Sequence, residues 1–174
     1  MNEQHVFEGT DNAYGTSLSE QMKWLHEHAL LRHPEVHRIA IALYDARHEL
    51  LKTYVNSSDV QHPMSLYQKP LAASSSLTEL ATRHSTRVIS DLASLPEPHA
   101  EHTRWLLEHG YRSSFTVPLF QSGVLFGFVF FDSRAPGAFD GALSLDLQIY
   151  VQLCRMSVLN VINLSHAVEG MVKV

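Results

Sequence analysis

The chain has 174 residues, 45% hydrophobic and 18% charged, which is enough for one ordinary domain with a sizeable core. Thirteen Lys and Arg against 18 Asp and Glu give a net charge of -5 without a basic cluster, which argues against electrostatic binding of nucleic acid or an anionic membrane. The single Cys154 excludes an internal disulfide, and neither a membrane span nor a signal peptide is apparent. We therefore expect a cytoplasmic protein.

The first third of the chain predicts a helix followed by a hairpin. Ser17 and Glu20 form a capping box in front of apolar residues at helical spacing. Residues 36–58 then alternate in hydrophobicity as two strands that turn at Asp45 to His48. Residues 57–73 lack a clear period and predict an irregular crossing.

The middle of the chain predicts two short helices around one strand. Ser76 with Glu79 and Ser94 with Glu97 are two further capping boxes, and each begins a helical repeat. The strand "TRVISDL" lies between the two helices, and Gly110 is placed as the C-terminal cap of the second helix.

The last third predicts a second hairpin and a long helix. Residues 110–133 turn at Gln121 to Gly123, and a helix runs from about Asp140 to Ala167. The resulting order, α, β, β, α, β, α, β, β, α, is dominated by hairpins. It predicts an α+β domain with an antiparallel sheet and helices segregated onto its faces.

The final helix carries two apolar stripes instead of one. The first stripe contains Leu147, Val151, Cys154, Val158 and Val161, and the second contains Ile149, Leu153 and Met156. One sheet face cannot bury both stripes, so the helix needs a second partner, which is either the first helix or a second copy of the chain.

The segment "RSSFTVPLFQSGVLFGFVFFDSRAPGAFD" resembles the GAF family. The resemblance rests on the strand that ends in Val-Pro-Leu, on Gly123 and Gly127, and on Pro136 and Phe139 before the final helix. It extends over residues 17–168. It implies a cytosolic sensor with a central antiparallel sheet of five to six strands. It also implies terminal helices that pair in a homodimer on one face, and short helices and loops that cap a small-ligand pocket on the other.

The segments "SSSLTELA", "VISDL", "RWLLEHGYRSS" and "SRAPGAF" are most similar to GAF domains that precede bacterial HD-GYP phosphodiesterases of cyclic-di-GMP signalling. That resemblance implies an effector domain in a longer protein. Residues 1–16 are then a flexible N-terminal segment, and residues 169–174 are the start of a truncated linker. The metal-binding signatures of the phosphodiesterase are absent from this chain, so its activity is not carried over.

Cysteine and histidine content tests the catalytic and cofactor-binding branches of the family. Free methionine-R-sulfoxide reductases need further cysteines, and bilin-binding relatives need a pocket cysteine, whereas Cys154 lies between Val151 and Val158 in a core stripe. His99, His102 and His109 share a helix face, where a packing role is favoured over a metal or haem site. We expect a non-enzymatic module with no metal site, and the sequence identifies no cofactor.

A polar start to the strand after Gly110 suggests that one serine, Ser113 or Ser114, faces a polar cavity. The predicted ligand-binding residues are Asp91, His99, Trp105, Tyr111, Ser113, Phe115, Phe128 and Phe130. If the alternation runs the other way, the wall consists of Leu125, Gly127, Val129 and Ser114. The predicted ligand is a small planar molecule such as a nucleotide, and a phosphate bound at Ser74 to Ser76 is a minor alternative.

Two functions other than ligand sensing stay open. One is a ligand-free dimerisation scaffold, and the other is a small metal- or haem-binding protein. A sizeable cavity between the sheet and residues 74–110 discriminates the sensor from the scaffold.

Overall fold

A computed structural model of the chain describes residues 17–58, 68–96 and 101–171. The predicted N-terminal segment 1–16 and the end of the predicted linker, 172–174, lie outside the described residues.

The described residues form an α+β domain around one six-stranded antiparallel sheet, which confirms the predicted fold class. The helices are α1 (Leu18–Arg32), α2 (Ser75–Arg83), α3 (Glu101–Glu108), α4 (Gly141–Asp146) and α5 (Gln148–Met171). The strands are β1 (Arg38–Asp45), β2 (Leu50–Ser58), β3 (Gln68–Pro70), β4 (Arg87–Ile89), β5 (Ser113–Gln121) and β6 (Val124–Ser133). Short 3-10 turns, Leu71–Ala73 and Leu92–Ser94, precede α2 and follow β4. The strand order is β3-β2-β1-β6-β5-β4.

The first helix begins where its capping box predicts. The backbone N–H of Glu20 donates to the Ser17 hydroxyl at 3.3 Å, and the backbone N–H of Ser17 donates to the Glu20 carboxylate at 2.7 Å. Two N–H groups at the helix start are thereby satisfied.

The turn of the β5–β6 hairpin also follows the prediction. Ser122 and Gly123 both have positive φ angles, 50° and 79°, as a two-residue hairpin turn requires. Gly110, with φ 80°, ends α3 as predicted, and the Tyr111 N–H donates to the Leu106 carbonyl at 2.9 Å.

Residues 57–73 are not the uniformly irregular crossing that the sequence predicts. β2 continues to Ser58, and β3 pairs with β2 through Leu50 opposite Pro70 and Leu51 opposite Lys69. Three residues at a sheet edge are too few to produce a periodic pattern, and residues 59–67 lie outside the described part of the chain.

Two of the predicted capping boxes are wrong. α2 begins at Ser75, so Ser76 lies inside the first turn, and Glu79 forms an ion pair with Arg83 instead of capping. Ser94 belongs to a 3-10 turn, in which its hydroxyl donates to the Asp91 carbonyl at 2.7 Å. Glu97 lies outside the described residues.

The predicted final helix is two helices. Asp140 caps the first of them by accepting the Leu143 N–H at 2.8 Å, as the predicted start implies. Leu147, fully buried, separates α4 from α5 and accepts the Val151 N–H.

The face of the sheet that carries the odd-numbered residues of β5 and β6 packs against the terminal helices. This cluster, which we call the helix-side core, includes Met22, Ile39, Ile41, Phe115, Val129, Phe131, Val151, Cys154 and Val158. The Cys154 thiol contacts the Met22 sulfur at 3.8 Å, so α1 and α5 meet in the middle of this core.

Gly127 is required where β6 passes β1. A Cβ atom at this position would lie 2.5 Å from the Ala42 carbonyl oxygen, closer than real Cβ contacts. The absence of a side chain thus allows the two central strands to pair.

Candidate ligand-binding cavity

A cavity of about 580 Å³ lies on the sheet face opposite the helix-side core. Its apolar lining consists of Leu51, Leu77, Ile89, Leu92, Leu106 and Phe130. Its polar lining includes Lys69, Arg87, His102, Thr103, Ser114 and Thr116. The cavity therefore lies between the sheet and the segment 74–110, where it discriminates a ligand sensor from a ligand-free scaffold.

Strand register explains which residues form the floor of the cavity. Thr116 lies opposite Phe130 across the β5–β6 pair, and directly opposite residues on antiparallel strands share a face. Ser114 lies two residues earlier on the same face of β5. Thr116 is only 1% exposed, and its hydroxyl has no hydrogen-bond partner among the described residues.

Arg87 adjoins Thr116 on the short edge strand β4. The two residues are direct cross-strand partners in the β4–β5 pair, and both line the cavity. The Arg87 Nε is buried and makes no hydrogen bond within the described residues, and burial lowers the pKa of the guanidinium from its ordinary value. An arginine nevertheless stays protonated at neutral pH.

Lys69, on the edge strand at the other end of the sheet, supplies a second cation to the lining. Burial lowers the pKa of its ammonium group, and the nearby carboxylate of Glu101 partly opposes this effect.

His102, on α3, is neutral in this environment. Burial, followed by the positive charges of Arg38, Lys69 and Arg87, lowers its pKa to about 3. Its ring centroid lies 5.8 Å from that of Phe130. The neutral imidazole offers one donor and one acceptor next to an aromatic wall.

The first turn of α2 borders the cavity through Ser74, Ser75, Ser76 and Leu77. Ser74 is the N-cap residue, but its side chain makes no capping hydrogen bond. The N-terminal backbone N–H groups of a helix carry partial positive charge, so this turn adds to the positive potential of the cavity.

An ion pair between Arg38 and Asp132 is buried next to the cavity. The two residues face each other across the β1–β6 pair and are 1% and 0% exposed. The Arg38 guanidinium also lies over the Trp105 ring, 5.4 Å from its centroid. Nε of Arg38 and Oδ1 of Asp132 have no hydrogen-bond partner among the described residues.

Strand register divides the predicted ligand-binding residues between two faces. Phe130 lines the cavity, and Phe128 lies on the same face but is packed beneath it with Ala40 and Leu77. Phe115 pairs with Phe131 and belongs to the helix-side core. The prediction that Phe115 shares a wall with Phe128 and Phe130 is wrong, because odd and even positions of paired strands face opposite ways.

Ser113 and Asp91 are engaged in structural contacts instead of lining the cavity. The Ser113 hydroxyl donates to the Ala135 carbonyl at 2.7 Å. Arg112 donates to both oxygens of Asp91, at 2.9 and 2.6 Å, and this contact lowers the pKa of Asp91. The polar start of β5 therefore has two roles: Arg112 and Ser113 fix neighbouring loops, and Ser114 faces the cavity.

Trp105 and Tyr111 lie one layer behind the cavity. They pack with Leu92 and Leu106, which do line it, and their ring centroids are 6.2 Å apart. His99 lies outside the described residues.

The cavity also contains Lys69, Arg87 and Thr116, which are not among the residues predicted from the sequence. Arg87 begins the strand "RVI" and Thr116 follows Ser114 at the spacing of one face, so a consistent assignment of faces would have found both. Lys69 lies in the segment without periodicity, where no local pattern was available.

Cys154 and His109 do not line the cavity. The thiol is buried in the helix-side core, and burial raises its pKa to about 12. His109 stacks on Trp105 with ring centroids 4.1 Å apart. Among the described residues there is no group of three metal-capable side chains and no helix long and apolar enough to cross a membrane.

No protein-family model and no curated protein matches the chain. Solved structures do match it.

The chromophore-binding domain of an unusual bacteriophytochrome from R. palustris superposes with a TM-score of 0.60 at 12% identity, and the match covers 82% of this chain and 56% of that one. Type II free methionine-R-sulfoxide reductase from Thermoplasma acidophilum gives a TM-score of 0.63 at 17% identity, with 83% and 96% covered. A GAF domain/HD domain protein from Geobacter sulfurreducens gives 0.61 at 16% identity, with 86% and 95% covered.

These neighbours are a chromophore-binding domain, a reductase and a GAF domain/HD domain protein, so the architecture occurs both in an enzyme and in a chromophore-binding domain. At these identities the likeness concerns the fold alone. The chain has the fold of GAF domains.

Proposed function

We propose that the chain is a regulatory module of the GAF family that binds a small ligand in the cavity and passes its state, through α1 and α5, to an effector. The cavity carries this proposal. Its volume of about 580 Å³ is typical of small-molecule sites, and it combines an aromatic and aliphatic lining with a few polar groups. The buried, unpartnered Thr116 hydroxyl supports an occupant, because such a group is costly without a partner.

The cavity and the helices α1 and α5 lie on opposite faces of the same two strands, β5 and β6. Thr116 and Phe130 face the cavity, whereas their chain neighbours Phe115 and Phe131 pack in the helix-side core beneath α1 and α5. A ligand that shifts β5 or β6 therefore acts on the helix packing through the same backbone.

A homodimer is part of the proposal. Ile149, Leu153 and Met156 form the second stripe of α5 and are 64%, 38% and 58% exposed, so the described chain leaves this stripe partly uncovered. α1, which packs beside α5, also exposes Trp24 and Leu31. A second copy of the chain would cover this surface with matching apolar residues.

The effector that the sequence resemblance suggests is an HD-GYP phosphodiesterase of cyclic-di-GMP signalling in a bacterial cytoplasm. The likeness to a GAF domain/HD domain protein supports this pairing. α5, which extends to Met171, would then lead towards the effector.

We propose that the module itself is not an enzyme. The neighbouring sulfoxide reductase shows that this fold also occurs in enzymes. Here, however, the one cysteine is buried against Met22 and away from the cavity, with a pKa of about 12, so it is a poor nucleophile.

Native mass spectrometry of protein purified from its own host tests ligand binding. We expect an added small-molecule mass that disappears under denaturing conditions. Thr116→Val should reduce the fraction of occupied protein, because it removes a cavity hydroxyl with little change of shape. Thr82→Val, on the exposed face of α2, is the matched control. An unoccupied wild-type protein that also fails to bind metabolites from a host extract would favour the ligand-free scaffold.

A further inference from the structure

Resting on the proposed function, we infer that the ligand is a small organic anion whose carboxylate or phosphate group lies between Arg87, Thr116 and the first turn of α2. Its carbon skeleton then packs against the apolar wall that contains Leu77, Leu106 and Phe130.

The charge of the lining is the first observation. Lys69 and Arg87 line the cavity, and none of the described lining residues is an Asp or a Glu. Two carboxylates lie nearby: Asp132 is bound to Arg38, and Glu101 interacts with Lys69. Arg87 forms no ion pair within the described residues. A partly buried guanidinium without a counter-ion is costly, and an anionic ligand would supply that counter-ion.

The second observation is the pair of unpartnered donors at one place in the sheet. Arg87 Nε and the Thr116 hydroxyl are both buried without a hydrogen-bond partner, and the two residues are direct cross-strand partners. Side chains at such positions begin about 5 Å apart. One oxygen-bearing group can therefore accept hydrogen bonds from both.

The first turn of α2 provides the third contribution. The side chain of Ser74, the N-cap residue, makes no capping hydrogen bond. Residues Ser74 to Leu77 border the cavity. Backbone N–H groups at a helix N-terminus bind anions when other groups place the anion there. Arg87 and Thr116 would hold the anion next to this helix start. His102 is neutral, so it adds no further positive charge to the cavity.

Four phenyl compounds test the inference by nuclear magnetic resonance titration of the cavity methyl groups. Benzoate and phenyl phosphate are the anions, benzyl alcohol is the neutral analogue, and benzylamine is the cation. We expect at least one anion to bind about tenfold or more tightly than benzyl alcohol. Hydrogen bonds to charged groups contribute enough binding free energy to account for this factor in affinity. Benzylamine should bind most weakly. The ranking of benzoate against phenyl phosphate identifies the head group.

Arg87→Gln is the decisive variant, and Arg83→Gln is its matched control. Arg83 carries the same charge on the exposed face of α2, where it pairs with Glu79 at 3.3 Å. We expect Arg87→Gln to abolish the preference for anions and Arg83→Gln to preserve it. A melting curve of each variant verifies that both are folded.

Equal binding of benzyl alcohol and the anions, or an anion preference that survives Arg87→Gln, would overturn the inference while the cavity remains a ligand site. If none of the four compounds shifts the cavity resonances, the inference is also overturned. The host-purified protein then decides separately whether the module binds any ligand.

Discussion

Asp132 and Arg38 illustrate how much one residue can contribute in this domain. Their ion pair is fully buried where the two central strands β1 and β6 meet, and it leaves one donor and one acceptor without partners in the described chain. The net contribution of such a pair is small, because desolvation offsets the attraction between the charges. The loss of one partner is different, since the other charge stays buried.

Asp132→Asn should therefore lower the free energy of unfolding by about 3 kcal/mol or more, because it leaves the Arg38 charge uncompensated. Chemical denaturation at neutral pH measures the change. Asp146→Asn alters an exposed aspartate and is the matched control. A loss of less than about 1 kcal/mol, the range of a surface ion pair, would show that water or another group compensates Arg38.

His102 makes the stability depend on pH. Its pKa in the folded protein is about 3, against about 6.5 in the unfolded chain, so only the unfolded chain takes up this proton between the two values. The free energy of unfolding should fall as the pH drops from about 6.5 towards 3. One proton accounts for a slope of at most about 1.4 kcal/mol per pH unit.

His102→Gln should remove this component of the slope, as denaturation midpoints between pH 4 and pH 7 would show. His28→Gln, at an exposed position on α1, is the control. An unchanged slope in His102→Gln would mean that the imidazole is solvated in the folded protein.

The sequence is a poor guide to which face of the sheet each strand residue lies on. The sequence predicts that a serine before Phe115 faces the cavity, and it places Ser113 in the site. In the structure Ser114 lines the cavity, and the Ser113 hydroxyl donates to the Ala135 carbonyl. A strand pattern defines two alternating sets of residues, and only the tertiary structure determines which set packs against which helices. Phe115 and Phe130 are both hydrophobic, so their residue type alone fits either the helix-side core or the cavity face of the sheet.

Elements with local determinants were predicted well. The α1 capping box and the β5–β6 turn depend on residues within a few positions of each other, so their patterns are readable in the sequence. β3 and the start of α2 were not predicted, because pairing with β2 and the preceding 3-10 turn decide them. The sequence does not indicate the break at Leu147, and nothing in the described residues explains it.

A substitution at Gly127 tests the close contact between the two central strands, β1 and β6. Gly127→Ala should lower the free energy of unfolding by about 1–3 kcal/mol, because the new methyl group would meet the Ala42 carbonyl at 2.5 Å and force the backbones apart. Gly141→Ala, where a Cβ atom has no neighbour within 4 Å, is the matched control. Thermal denaturation compares the two. A Gly127→Ala protein as stable as its control would show that β1 and β6 adjust without strain.

At the scale of the whole molecule, the second stripe of α5 determines the expected assembly. Ile149, Leu153 and Met156 were recognised from their spacing as apolar residues that one sheet face cannot cover, and the structure leaves them exposed. The sequence could not say which partner covers them, because a spacing pattern describes one helix and not its neighbour.

Light scattering should give the mass of a dimer at micromolar concentration. Met156→Glu should shift the equilibrium towards monomer, since a buried Met contributes about 1.5–3 kcal/mol and a carboxylate would be desolvated in its place. Gln152→Glu adds the same charge at another exposed position of α5 and should preserve the dimer. A monomeric wild-type protein would contradict the proposed assembly.

The pairing of β1 with β6 also has a consequence for how the chain folds. The hairpins β1–β2 and β5–β6 each close over a few residues, whereas Arg38 and Asp132 are 94 positions apart. Pairing β1 with β6 therefore costs the most chain entropy, and we expect it late in folding. At that step the two preformed halves of the sheet, β3-β2-β1 and β6-β5-β4, dock against each other. Asp132→Asn should then speed unfolding much more than it slows folding, because its contact with Arg38 is absent until the halves dock.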